Sequence, residues 1–171
     1  MIENELKYVL NQSVPERYLE QYCGFPAMIC QGYLPGKGRL RSKTTESGSI
    51  FYFTYKLSVE ETVFEIEKKI SINEFETMWE HTSRRLMKLR YLYMDAEVQW
   101  DIDIFLQNEV RYFVMAEAEM PEQMIEPPSI PKFLEDIMLY PVPRSRSREF
   151  TSGKLSNPEY AAQMLTTIQY P

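Results

Sequence analysis

Polar and apolar residues alternate along much of this chain with a period of two. Over 62–70, Glu65, Glu67 and Lys69 fall on one side while Phe64, Ile66 and Ile70 fall on the other. Over 86–93, Lys88 and Arg90 oppose Leu89, Tyr91 and Tyr93, and over 97–105, Asp101 and Asp103 oppose Trp100, Ile102 and Ile104. A strand sends successive side chains to opposite faces, so this pattern predicts strands. They are placed at about 3–10, 27–34, 38–44, 50–57, 62–70, 86–93, 97–105 and 112–120, with Gly36, Gly38, Gly48 and Ser49 punctuating the early turns.

Helices are fewer. Ser71 followed by Glu74 reads as a capping box opening a helix between the fifth and sixth strands. Short helices are predicted near 14–22 and 131–138, and a last one over 158–168 with Asn157 as its cap. Residues 140–154, with Pro141, Pro143, Arg144, Arg146, Arg148 and Gly153, read as a loop. So few helices between strands favour antiparallel pairing over a parallel sheet.

The charged faces have two readings. They are the wet side of a one-sided antiparallel sheet, or they turn inward and line a lumen. Sign is sorted by strand. The strands near 39, 54 and 89 are basic, and those near 102 and 118 are acidic. An ordinary wet face mixes signs to gain cross-strand pairs. About eight strands suffice to close a barrel. The fold class predicted is α+β and mainly β, with antiparallel pairing; if the charged faces turn inward, it is an eight-stranded antiparallel closed tunnel with a charged lumen and helices packed outside. Phe64, Ile66, Leu89, Trp100, Ile102 and Ile104 would then be buried on the outer face, and Trp79 in the core.

Composition narrows the classes. A chain of 171 residues, 44% hydrophobic and 26% charged, suits a single globular domain over 1–171. A net charge of −6 argues against general nucleic-acid binding. No apolar run approaches the roughly 18 residues that span a membrane. The N-terminus lacks the basic and apolar regions of a signal peptide. Cys23 and Cys30 are the only cysteines, too far apart for a CxxC site, so reduced thiols and a cytoplasmic location are expected. His81 sits in a polar stretch, where an exposed, non-catalytic histidine is expected.

Paired carboxylates suit Mg²⁺ or Mn²⁺, and Arg and Lys suit phosphate oxygens, so the strand faces hold the parts for phosphoryl transfer. The motifs agree. Glu3-x-Glu5-x-Lys7, Gln31-Gly32-Tyr33-Leu34, Arg39-Leu40-Arg41 and Phe53-Thr54-Tyr55-Lys56 come first. Phe64-Glu65-Ile66-Glu67, Lys88-Leu89-Arg90-Tyr91, Trp100 to Phe105 and Ala116-Glu117-Ala118-Glu119 follow in order. Together they resemble the CYTH superfamily, the triphosphate tunnel metalloenzymes. Pro127-Pro128 and Lys154-Leu155-Ser156-Asn157 resemble its closing segments.

The resemblance implies the eight-stranded antiparallel tunnel, and it implies that Glu3, Glu5, Glu117 and Glu119 hold Mg²⁺ or Mn²⁺. It implies that Arg39, Arg41, Lys56, Lys88, Arg90 and Lys154 bind substrate phosphates. Lys7 would position water or ground a phosphate. Glu65, Glu67 and Asp103 would bind a second metal or orient the attacking water, or else pair with the basic strands. Two departures stand out. Only Pro35-Gly36-Lys37-Gly38 joins Leu34 to Arg39, and Lys154 stands where an Arg is usual, a point charge without the bidentate fork. Arg144, Arg146 and Arg148 could supply that guanidinium.

The function implied is hydrolysis of a small triphosphate, inorganic tripolyphosphate or a nucleoside or thiamine triphosphate. The alternatives are a class IV type adenylate cyclase or a non-catalytic tunnel binding nucleotides or polyphosphate. The partner expected is the small triphosphate itself, with no membrane, and a homodimer stays open.

Overall fold

A computed structural model describes residues 4–36, 38–59 and 62–169. Nine strands carry the fold: β1 (Glu5–Leu10), β2 (Ala27–Tyr33), β3 (Gly38–Thr45), β4 (Gly48–Val59), β5 (Thr62–Ile70), β6 (Arg84–Asp95), β7 (Val98–Gln107), β8 (Val110–Glu119) and β9 (Met138–Val142). The helices are α1 (Glu16–Cys23), α2 (Ile72–Trp79), α3 (Lys132–Glu135), α4 (Ser152–Leu155) and α5 (Pro158–Gln169), with a 3-10 helix over Arg144–Glu149. The strands form one sheet in the order β5-β4-β3-β2-β6-β7-β8-β1-β9. The chain divides into two compact units, one built on Ala27–Lys88 and one on Asn4–Pro26 with Leu89–Pro171.

The eight strands read from the alternation are all present. The closed tunnel is not. The sheet order has two ends, β5 and β9, and among the described residues these do not pair. The ninth strand explains one end. β1 pairs on one side with β8, Glu5 opposite Glu119 and Lys7 opposite Glu117. On its other side it pairs with β9, Lys7 opposite Val142 and Tyr8 opposite Pro141. Both edges of β1 are therefore taken. The loop predicted over 140–154 is instead the end of β9, the 3-10 helix and α4. Pro141 masked the strand, because proline lacks the N–H a central strand needs and is tolerated at an edge.

In the first unit, β3 and β4 form a hairpin that opens on Gly48 at φ 121°, a conformation only glycine adopts without strain. α2 starts as predicted. The Ser71 hydroxyl accepts from the Glu74 N–H at 3.2 Å and the Glu74 carboxylate accepts from the Ser71 N–H at 2.7 Å. The Phe75 ring packs against Phe51 at 4.9 Å and Trp79 at 5.0 Å. Trp79 is half-buried, and His81 is exposed.

The predicted burial of Phe64 and Ile66 fails, since they are 42% and 67% exposed. An eight-residue helix is about 12 Å long, whereas the twelve residues of β4 extend about 40 Å. α2 reaches Phe51 and leaves the far end of the β4–β5 pair uncovered.

In the second unit, Trp100, Ile102 and Ile104 are buried as predicted, in a core with Tyr8, Leu10, Tyr91, Val114, Ala116 and Phe133. Each of the larger aliphatic side chains here contributes about 1.5–3 kcal/mol through its removal from water. The β7–β8 hairpin turns on Asn108 and Glu109, both at positive φ, the geometry that matches the twist of paired strands. α5 begins at the predicted cap, where the Asn157 Oδ1 accepts from the N–H groups of Glu159 and Tyr160 at 2.9 and 3.2 Å. Its residues Ala161 and Met164 are buried.

Candidate functional site

One face of the second unit changes character along its length, and strand register dictates how. Glu119 lies opposite both Glu5 and Gln99, and Glu117 lies opposite both Lys7 and Asp101. One step further, Met115 lies opposite Val9 and Asp103, and then Phe105 meets Phe113. The face thus runs from charge at one end to apolar packing at the other, where Phe113 approaches the Phe150 ring at 6.5 Å. Apolar closure behind the charged rows keeps water from solvating the carboxylates on that side.

Within the charged rows stand five carboxylates (Glu5, Asp101, Asp103, Glu117 and Glu119), and Lys7 and Arg90 pair with four of them. The Lys7 ammonium is 2.8 Å from both Glu5 and Glu117. Burial alone would lower its pKa, but those two carboxylates outweigh burial and hold it above its ordinary value. Arg90 donates from Nε and a terminal nitrogen to the two oxygens of Asp103 at 2.7 and 2.6 Å, a bidentate pair. It also bonds Asp101 and lies 3.5 Å from Glu117. Asp101 and Asp103 are almost wholly buried. Burial raises the Asp101 pKa, with Arg90 pulling the other way.

Among the described residues, Glu119 forms no salt bridge of its own. Burial, then repulsion from Glu5, Glu117 and Asp101, pushes its pKa up to about 8. Oxygens of Glu5, Glu117 and Glu119 lie within 4.8 Å of one another. Three oxygen donors grouped this way could hold a hard divalent cation. Glu3 lies outside the described residues.

The first unit carries its own charged face. Arg39 is 2.8 Å from Glu65 and 3.8 Å from Glu67, Arg41 is 3.8 Å from Glu67, and Lys56 is 2.9 Å from Glu65. Thr54, fully buried, donates to Glu67 at 3.0 Å and accepts from Arg39 at 3.4 Å. Of the roles weighed for Glu65 and Glu67, pairing with the basic strands is the one these contacts display. Lys88 is buried.

Two residues on this face were missed as site members. Gln31 lies opposite Arg41, and Tyr33 opposite Arg39. Gln31 is fully buried and donates to the Tyr33 hydroxyl at 2.5 Å. Their i, i+2 spacing was the available signal. Gln99, which donates to Asp101 at 2.8 Å, was missed in the second unit.

Lys154 is exposed on α4. Arg146 binds Glu149 at 2.7 Å, and Arg144 donates to the Asn4 side chain at 3.2 Å.

No family model and no curated protein matches the chain. Solved structures do. The hypothetical protein NE1496 aligns over 90% of this chain and 97% of its own, at 21% identity and a TM-score of 0.51. A protein from Bacillus halodurans provisionally named an adenylate cyclase aligns over 69% of this chain and 80% of its own, at 15% identity and a TM-score of 0.48. The PH1012 protein from Pyrococcus horikoshii OT3 aligns over 72% and 80%, at 15% identity and a TM-score of 0.48. At this identity the likeness to NE1496 is one of fold.

Proposed function

We propose that this protein is a metal-dependent phosphohydrolase acting on a small triphosphate. The observation that carries the reading is the trio Glu5, Glu117 and Glu119, with oxygens within 4.8 Å of one another and Glu119 raised to a pKa of about 8. So crowded a set of carboxylates is favourable once a divalent cation neutralises it. Mg²⁺ or Mn²⁺ held there would polarise phosphoryl oxygens and acidify a bound water.

The chain's own groups have defined tasks in this reading. Lys7 fixes Glu5 and Glu117 in place. Arg90 orients Asp101 and Asp103, and those two carboxylates hold its guanidinium in turn. Arg39, Arg41, Lys56 and Lys88 are assigned to phosphate oxygens, with Glu65 and Glu67 holding the cationic heads in position until substrate arrives. No helix among the described residues is long and apolar enough to cross a membrane. The working expectation is a cytoplasmic protein whose partner is the triphosphate.

The test is product analysis with tripolyphosphate, ATP and thiamine triphosphate in Mg²⁺ or Mn²⁺. Metal-dependent release of phosphate from any of them, lost in Glu117→Gln, supports the reading. Cyclic AMP from ATP would replace it with the cyclase. Binding without turnover would replace it with a non-catalytic binder.

A further inference from the structure

A recess of about 370 Å³ lies at the turn end of the β3–β4 hairpin, lined by Lys43, Thr45, Ser49, Ile50 and Tyr52 among others. Its position follows from register. Residues directly opposite in an antiparallel pair share a face. Arg39 opposes Thr54, Arg41 opposes Tyr52, and Lys43 opposes Ile50. The recess therefore continues the face that carries Arg39 and Arg41. Same-face neighbours on a strand are about 7 Å apart, so Arg41 to Lys43 is one such step.

We propose that this recess receives the organic substituent of the triphosphate, and that the substituent is a flat aromatic heterocycle. The inference rests on the triphosphate reading and narrows its substrate class. A phosphate chain held at Arg39 and Arg41 brings whatever is esterified to it to Lys43 and Tyr52. The lining there differs in kind from the clamp beside it. Tyr52 offers a half-buried ring for stacking, and Ile50, 36% exposed, offers an apolar flank. Two hydroxyls of the lining stand at the turn, Thr45 with Ser47 at 2.8 Å. A hydroxyl both donates and accepts, so these can meet the mixed edge of a heterocycle. Lys43 adds one positive charge at the boundary with the phosphates. A substrate made only of phosphate would leave the ring and the apolar flank unused. The volume lies in the range of small-molecule sites, roughly 300–1,000 Å³.

The experiment is calorimetric titration of tripolyphosphate, ATP and thiamine triphosphate into the wild-type protein, Tyr52→Ala and Tyr52→Phe, with Ca²⁺ replacing the working metal to suppress turnover. At least one substituted triphosphate is expected to bind the wild type about ten-fold more tightly than tripolyphosphate, the advantage one stacked ring confers. Tyr52→Ala should bring that ratio close to one, and Tyr52→Phe should keep it, which separates loss of stacking from damage to the hairpin. Which of the two ligands gains tells a nucleobase from the thiamine rings. Equal affinity for all three in the wild type, or an advantage that survives Tyr52→Ala, overturns the inference and leaves the triphosphate reading standing. Failure of all three to bind overturns that reading itself.

Discussion

Glu5 and Glu119 stand directly opposite each other across β1 and β8, two carboxylates in register on neighbouring strands. Like charges so placed destabilise a sheet. Lys7 relieves Glu5 at 2.8 Å, and Glu119 is left as the group that takes up a proton.

A pH dependence follows. The folded pKa of Glu119 is about 8 against an ordinary 4.5, so between those values the folded protein holds a proton that the unfolded chain has released. Stability of the metal-free protein should fall as pH rises through that window, by at most about 1.4 kcal/mol per pH unit for one proton. Denaturant titrations across pH 5–8 should show the slope in the wild type and its loss in Glu119→Gln. Saturating Mg²⁺ or Mn²⁺ should flatten it. A slope unchanged in Glu119→Gln would place the proton elsewhere.

Metal dependence should collapse on loss of one ligand. Glu5→Gln preserves size and removes one negative charge, so the fold should survive while metal-dependent turnover disappears. Circular dichroism and phosphate release measured together decide the point. Normal hydrolysis by Glu5→Gln in Mg²⁺ would refute the assignment.

Arg90 has a structural task that alternation alone does not reveal. It pairs with both Asp101 and Asp103, which are 2% and 0% exposed. Arg90→Ala strands two buried carboxylates, and breaking such a pair costs about 3–5 kcal/mol. Adding Asp103→Asn to that variant should restore part of the loss, because one uncompensated charge is removed. Chemical denaturation of the single and double variants measures this. Equal stability of the two would mean that Asp103 is not charged in the folded protein.

The two ends of the alternating pattern should respond differently to truncation. Trp100, 1% exposed, should cost about 3–5 kcal/mol on change to Ala. Ile66, 67% exposed, should change stability by about 0.5 kcal/mol or less. Thermal melts of Trp100→Ala and Ile66→Ala test the contrast, and a comparable loss in both would mean that Ile66 is covered in solution.

Those two residues also show what was legible in the sequence. Period-two alternation located every strand from β1 to β8 and sorted the faces of β7 correctly, because both faces of that strand are decided by its nearest neighbours. The same alternation in β5 gave the right face for Phe64 and Ile66 and the wrong burial. Whether a face is covered depends on the reach of α2, and a strand's own sequence does not encode a helix length elsewhere. β9 was invisible because Pro141 argues against a strand unless the partner geometry is known. Spacing of i, i+2 alone puts Glu117 and Glu119 on one face, but that Glu5 joins them came from the resemblance, and it is the β1–β8 register that brings the three together. That Glu65 and Glu67 pair with Arg39, Arg41 and Lys56 depends on cross-strand register, which spacing leaves free.

The double lacing of β1 has a kinetic meaning. A strand with one free edge can fray by opening outward, whereas β1 is bonded to β8 on one side and β9 on the other. Over Lys7 to Val9, where both ladders run, exchange of amide protons requires one of them to separate, so slow exchange is expected there, while Glu5 is held by the β8 ladder alone. The lifetime of the carboxylate arrangement is thereby tied to the closing segment of the chain, more than a hundred residues from β1 in sequence. A five-residue strand with a proline in it thus bears on how long the geometry at Lys7, and through its ion pair at Glu5, persists.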